Sequence, residues 1–151
     1  MRKLLPRLVL ALGVTAAAAV PQFAGAQQLL TIKGEKVNMR AAPSLRSDVL
    51  WQLGRNYPVK VVQRKGSWVK VIDFEGDRGW IAKRLTATTP HYVVKSPRAN
   101  LRAGAGTKHR VIGQAQYGDV FRVLEQRRGW VRVRGEDART GWIARGLLWG
   151  W

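Results

Sequence analysis

The sequence predicts an all-β chain, two small β-barrels in tandem behind a cleavable leader. Three observations predict it. Apolar and polar residues alternate at period two around glycine turns, as in Val59-Lys60-Val61-Val62 followed by Trp68-Val69-Lys70-Val71. A shift of 62 positions lays one half of the chain on the other without a gap from Leu30 to Leu85. Each copy then has about 60 residues, which is long for a solenoid repeat and close to the least that closes a core of its own.

Residues 1–26 read as a secretory signal peptide. Arg2, Lys3 and Arg7 form a basic start, Leu8 to Val20 is an apolar run, and Ala24-Gly25-Ala26 supplies small residues for cleavage after Ala26. The apolar run would make a helix of about 20 Å, too short for a hydrocarbon core of about 30 Å. Export places the mature chain in the periplasm or outside the cell, with no transmembrane segment. The chain carries 27 Lys and Arg against 9 Asp and Glu. Loss of the leader's three basic residues leaves 24 against 9, a charge of +15.

The mature part divides into units at 27–86 and 92–151, joined through residues 86–91. Val37-Asn38-Met39-Arg40 alternates and opens the first unit. A long loop-like stretch with Pro43 follows, and residues 46–52 could form one helical turn. The hairpin of Val59 to Val71 turns at Gly66, and the next turns through Asp73-Phe74-Glu75-Gly76-Asp77 to Gly79-Trp80-Ile81-Ala82. The second unit repeats this order with Ala99-Asn100-Leu101-Arg102, Val120 to Leu124, Trp130-Val131-Arg132-Val133, and Gly141-Trp142-Ile143-Ala144. Residues 108–114 stand where the helical turn would be. About five strands per unit cannot bury an open sheet face, so each sheet must close on itself or on its neighbour.

Val37-Asn38-Met39-Arg40-Ala41-Ala42-Pro43 and Asn100-Leu101-Arg102-Ala103-Gly104 resemble the opening of bacterial SH3 (SH3b) domains. Trp68 to Val71 and Trp130 to Val133 resemble the central strand of that family, and the two Gly-Trp-Ile segments its closing strand. The stretch from Asp73 to Ile81 is similar to the SH3-like family of exported proteobacterial proteins. Ala42 and Ala105 depart from the usual glycine and proline. The resemblance covers residues 30–148. It implies two SH3-like barrels and, by analogy with modules attached to wall hydrolases, binding to peptidoglycan or its stem peptides.

Seven residues are singled out for ligand contact: Trp51, Tyr57, Tyr117, Arg40, Arg102, Trp80 and Trp142. Trp51 faces Gly113 in the repeat alignment, a loss of volume that a core position rarely tolerates. Tyr57, Tyr117, Trp149 and Trp151 also lack aromatic counterparts, which suits exposed or inter-domain positions. Trp80 and Trp142 follow a glycine and serve either as core or as stacking surface. Trp68 and Trp130 allow the same two readings. Arg40 and Arg102 stand two places after Asn38 and Asn100, on the same face. They would grip a carboxylate or hold their own loops.

The charge points to an anionic partner such as a cell-wall polymer or peptidoglycan peptide. Another exported protein is the alternative, and export argues against nucleic acid despite the suitable charge. Catalysis finds little support: His91 and His109 have no counterparts, and Asp73, Glu75 and Asp77 fit an Asp/Gly turn better than a cation site or acid pair. With no cysteine and no phosphate loop or cofactor signature, no cofactor is expected. The expected function is that of a non-enzymatic binding module of the bacterial envelope.

Overall fold

The computed structural model describes residues 28–151. The leader reading lies outside the described residues. Fourteen strands form two antiparallel sheets, and no α-helix occurs among the described residues.

The first unit contains β1 (Leu29–Ile32), β2 (Val37–Arg40), β3 (Val49–Leu53), β4 (Pro58–Lys65), β5 (Trp68–Ile72), β6 (Arg78–Ala82), a 3-10 turn (Lys83–Leu85) and β7 (Thr86–Ala87). The second contains β8 (His91–Val94), β9 (Arg98–Arg102), β10 (Val111–Gln116), β11 (Val120–Arg127), β12 (Trp130–Arg134), β13 (Thr140–Ala144), a 3-10 turn (Arg145–Leu147) and β14 (Leu148–Gly150). Strand order is β3-β2-β6-β5-β4-β1-β7 in one and β10-β9-β13-β12-β11-β8-β14 in the other. Neither sheet borrows a strand from its neighbour.

Alternation sets the cores. In β5, Val69 and Val71 are fully buried while Trp68, Lys70 and Ile72 point outward. The first core joins Leu30, Ile32, Val37, Met39, Leu53, Val59, Val69, Val71 and Ile81. The second joins Tyr92, Val94, Ala99, Leu101, Ala115, Val131, Val133, Ile143 and Leu148. These correspond place by place at the 62-residue shift, except that the counterpart of Val59 is the half-buried Phe121 and that of Leu148 is the buried Thr86. The β11–β12 hairpin turns through Arg128 (φ 43°) and Gly129 (φ 83°), the pair of left-handed residues that a two-residue hairpin turn demands.

Two expectations are corrected. Each unit has seven strands, not five. The extra ones escape a period-two search because they are buried on both faces or very short. In β8, Tyr92 and Val94 face the core, while His91 and Val93 are buried on the opposite side, where β8 runs beside β4 of the first unit. In β1, Thr31 lies under residues 87–89 and bonds to the carbonyls of Ala87 and Thr89. The helical turns at 46–52 and 108–114 are absent, since β3 and β10 begin inside them. In the junction 86–91, Thr86 and Ala87 form β7 and His91 opens β8.

Candidate functional site

A cleft opens over the outer face of β5. Trp68 sits directly opposite Ala82 of β6, and that small neighbour leaves the indole flank uncovered. The loop between β2 and β3 rises on one side. Its shape comes from Arg40, whose Nη1 donates to the Ser47 carbonyl at 2.7 Å, and from Ser47 Oγ, which accepts the Ala42 N–H at 2.8 Å. These bonds leave Leu45 at the mouth, 70% exposed. The 3-10 turn forms the other side, anchored where the Lys83 N–H meets the Ser67 carbonyl at 2.8 Å. The cleft has a volume of about 850 Å³ and is lined by Leu45, Trp68 and Ala82 with Ser44, Ser67, Arg46, Lys83 and Arg84.

The rim carries positive charge without carboxylate partners. Among the described residues the ion pairs are Arg55–Glu35, Arg127–Glu125 and Arg139–Asp137. Arg46, Lys83 and Arg84 belong to none of them. An apolar floor with three such cations suits a ring or aliphatic group bearing an anion.

The second unit repeats the arrangement with changes. Trp130 lies opposite Ala144, and Arg102 Nη1 donates to the carbonyls of Thr107 (3.0 Å) and His109 (2.8 Å). Thr107 replaces Leu45. The open space divides around Trp130 into about 720 Å³ toward Trp142, Arg127 and Arg128, and about 310 Å³ toward Arg98, Asn100 and Leu147. Arg127 stacks over the Trp142 ring at 5.5 Å.

The seven residues singled out from the sequence scatter over four places. Trp51 is 54% exposed on the edge strand β3, beside the exposed Val49 and Leu50. Tyr57 and Tyr117 come together through Phe74, whose ring lies 6.1 Å from Tyr57 and 5.1 Å from Tyr117. Tyr117 reaches across from the second unit, and its hydroxyl donates to Glu75 at 2.6 Å. Burial, and then the carboxylates of Asp73 and Glu75, push the Tyr57 hydroxyl far above its usual range. Trp80 and Trp142 are 7% and 9% exposed, each in a cross-strand row between an arginine and a cation on the next strand. Arg40 and Arg102 hold their own loops. Leu45, Arg46, Lys83 and Arg84 are not among the seven, and the sequence reads Trp68 as core or stacking surface. The available signal was Leu45, an apolar residue inside an otherwise polar loop.

The acidic turn has a structural task. Asp73 Oδ1 accepts the N–H groups of Glu75 (3.0 Å) and Asp77 (2.9 Å). Burial raises its carboxyl above the usual range, against those two bonds. The carboxylates of Asp73, Glu75 and Asp77 lie within 4.8 Å of one another, a donor set of the kind that takes a hard cation.

Two small barrels, each opening on Asn-x-Arg, crossing a Trp-Val-x-Val strand and closing on Gly-Trp-Ile, define the comparison with known proteins. The pattern of the Bacterial SH3 domain family matches residues 33–87 and again residues 97–148. The chain is a tandem of bacterial SH3 domains. A curated relative of these tandem SH3 domains, "Putative N-acetylmuramoyl-L-alanine amidase YrvJ" of Bacillus subtilis (strain 168), is 26% identical over 132 residues. The match takes in 79% of this chain and 25% of the relative, so the tandem spans about a quarter of that protein's length. Among solved structures, an NlpC/P60 family protein from Bacillus cereus ATCC 10987 aligns with 81% of this chain and 56% of its own, at 19% identity and a TM-score of 0.38. NlpC2 from Trichomonas vaginalis aligns with 82% of this chain and 48% of its own, at 16% identity and a TM-score of 0.36. No helix among the described residues is long and apolar enough to cross a membrane.

Proposed function

We propose that the tandem is a non-enzymatic binding module of the bacterial cell envelope, and that it holds peptidoglycan or its stem peptides after export. The observation that carries this reading is the Trp68 cleft, an apolar floor whose rim cations Arg46, Lys83 and Arg84 have no carboxylate partner among the described residues. Wall polymers present sugar rings and peptide carboxylates together, which is the pairing such a cleft suits. The relative's printed name, an amidase, supports the same setting. The export signal supports the periplasm or the cell exterior as the place of action.

Pull-down with purified sacculi at low and high salt tests it. Long-range attraction of a +15 chain fades as salt rises, whereas contacts inside a cleft persist. Retention of the protein in high salt is expected, with about tenfold weaker binding for Leu45→Ala combined with Trp68→Ala. Circular dichroism checks that this variant stays folded. Full loss of wild-type retention in high salt, or equal retention of the folded variant, would refute the proposal.

A second reading has its own observation. Val49, Leu50 and Trp51 are all exposed on β3, and among the described residues no strand lies beyond it. An apolar sheet edge of this kind suits another exported protein adding a strand. This reading predicts that Trp51→Ala leaves retention on purified sacculi unchanged and weakens capture of exported proteins, while loss of Trp68 leaves that capture intact.

A further inference from the structure

At one end of each barrel, the turn before the fourth strand meets the turn between the fifth and sixth. In the first unit this space is filled. Tyr57 and Phe74 pack into it, and Tyr117 of the second unit closes it with its hydroxyl on Glu75. A move of 62 places replaces Tyr57 by Asp119, Phe74 by Glu136, Leu53 by Ala115 and Glu75 by Asp137. Two rings and a leucine give way to two short acids and an alanine. The space in the second unit is therefore an open pocket of about 420 Å³, floored by Leu101, Ala115, Val120 and Phe121. The counterpart of Tyr117 is Arg55, and Arg55 lines this second pocket as Tyr117 enters the first.

Acidic side chains gather here, as they do in the Asp73 turn of the first unit. Three of the chain's nine acids, Asp119, Glu136 and Asp137, line one pocket of a strongly basic molecule. Both arginines of the pocket already have partners: Arg139 bonds to Asp137, which holds that carboxyl below its usual range, and Arg55 Nε lies 2.6 Å from Glu35. Asp119 Oδ2 accepts the Gln116 N–H at 2.8 Å. Asp119 and Glu136 have no cationic partner among the described residues. The filled pocket shows that the space takes one side chain delivered from outside the unit, and that this side chain donates a hydrogen bond to a carboxylate.

We propose that the second pocket binds an alkylammonium group, the lysine-type side chain of a peptide. Its aliphatic stem lies on Val120 and Phe121, and its ammonium meets Asp119 and Glu136. An aromatic occupant is disfavoured, since the ring that stacks on Tyr117 has become Glu136. The site selects the charge opposite to that favoured by the Trp68 cleft and stands independently of it.

Titration of the purified protein with Nα-acetyl-lysine amide, followed by amide NMR shifts, tests the proposal. Saturable shifts confined to residues 115–120 and 135–139 are expected. The norleucine analogue, which lacks the ammonium, should bind at least about tenfold more weakly. Asp119→Asn with Glu136→Gln should abolish the shifts. Both residues are exposed, and Asn keeps the acceptor for Gln116. Trp68→Ala should leave the shifts unchanged. A wall stem peptide with a free side-chain amine and an unrelated lysine peptide then separate the two sources, and preference for either one supports the site. Equal response to the norleucine analogue, no shift at these amides, or wild-type titration of the double variant would overturn it.

Discussion

Gly141→Ala tests why the Gly-Trp-Ile segment begins with glycine. Gly141 lies on β13 where β9 passes close by. A methyl group there would stand 2.5 Å from Leu101 Cγ, 2.7 Å from Leu101 Cδ1 and 3.1 Å from the Arg102 carbonyl oxygen. Carbon atoms settle at about 3.5–4.0 Å, so Leu101 would have to withdraw by about 1 Å. Leu101 belongs to the second core and is nearly fully buried, so its withdrawal disturbs the packing around it. Overpacking of this kind costs about 1–3 kcal/mol. Replacing glycine where its backbone is ordinary returns about 0.4–1 kcal/mol through the unfolded chain. The net loss is about 1–2 kcal/mol, or roughly 4–16 °C in the melting of a domain of this size. Gly79→Ala should cost less, because the side chain it meets is the unbranched Met39, through Cγ and Sδ, although the Arg40 carbonyl oxygen stands at 3.0 Å, much as the Arg102 oxygen does at Gly141. Differential scanning calorimetry of both variants measures the difference. Leu101→Val should recover part of the Gly141→Ala loss, giving a coupling above about 0.5 kcal/mol. Unchanged or raised stability for Gly141→Ala, or strict additivity with Leu101→Val, would refute the close-approach argument.

Three other outcomes are expected. Arg102→Met removes the donor held by Thr107 and His109, so amide hydrogen exchange in residues 103–110 should speed up, with a stability loss of about 1 kcal/mol. His91 is buried, with Nδ1 3.0 Å from the Thr89 carbonyl and Arg122 opposite it in register. Burial is the larger cause and Arg122 the lesser that hold its pKa below 6.5. Its native form resists protonation, so stability should fall as pH drops from 6.5 toward the native pKa, and His91→Gln should flatten melting temperature against pH in that window. Asp73 has the opposite sign. Burial raises its native pKa above 3.8, so stability should fall as pH rises from 3.8 through the native value. Asp73→Asn keeps the acceptor for Glu75 and Asp77. It should melt at or above the wild-type temperature at pH 7, with the advantage disappearing near pH 3.

The sequence by itself determined the tandem, the barrel class and the inward residues. A core must present apolar groups on one face of each strand, so Val69, Val71 and Ile81 recur as Val131, Val133 and Ile143, and that regularity is visible in one dimension. The strands β1 and β8 were not legible in that way, because burial on both faces erases alternation. Exposed Trp51 was readable from its mismatch with Gly113, since a core seldom loses that much volume. Tertiary structure alone decided the rest. It gave Arg40 and Arg102 to their own loops, joined Tyr57 to Tyr117 through Phe74, and set Leu45 over Trp68 to make a cleft. Those outcomes depend on which loops and units meet in space. A surface contact leaves no period in the sequence, since only the residues at that one place have to fit.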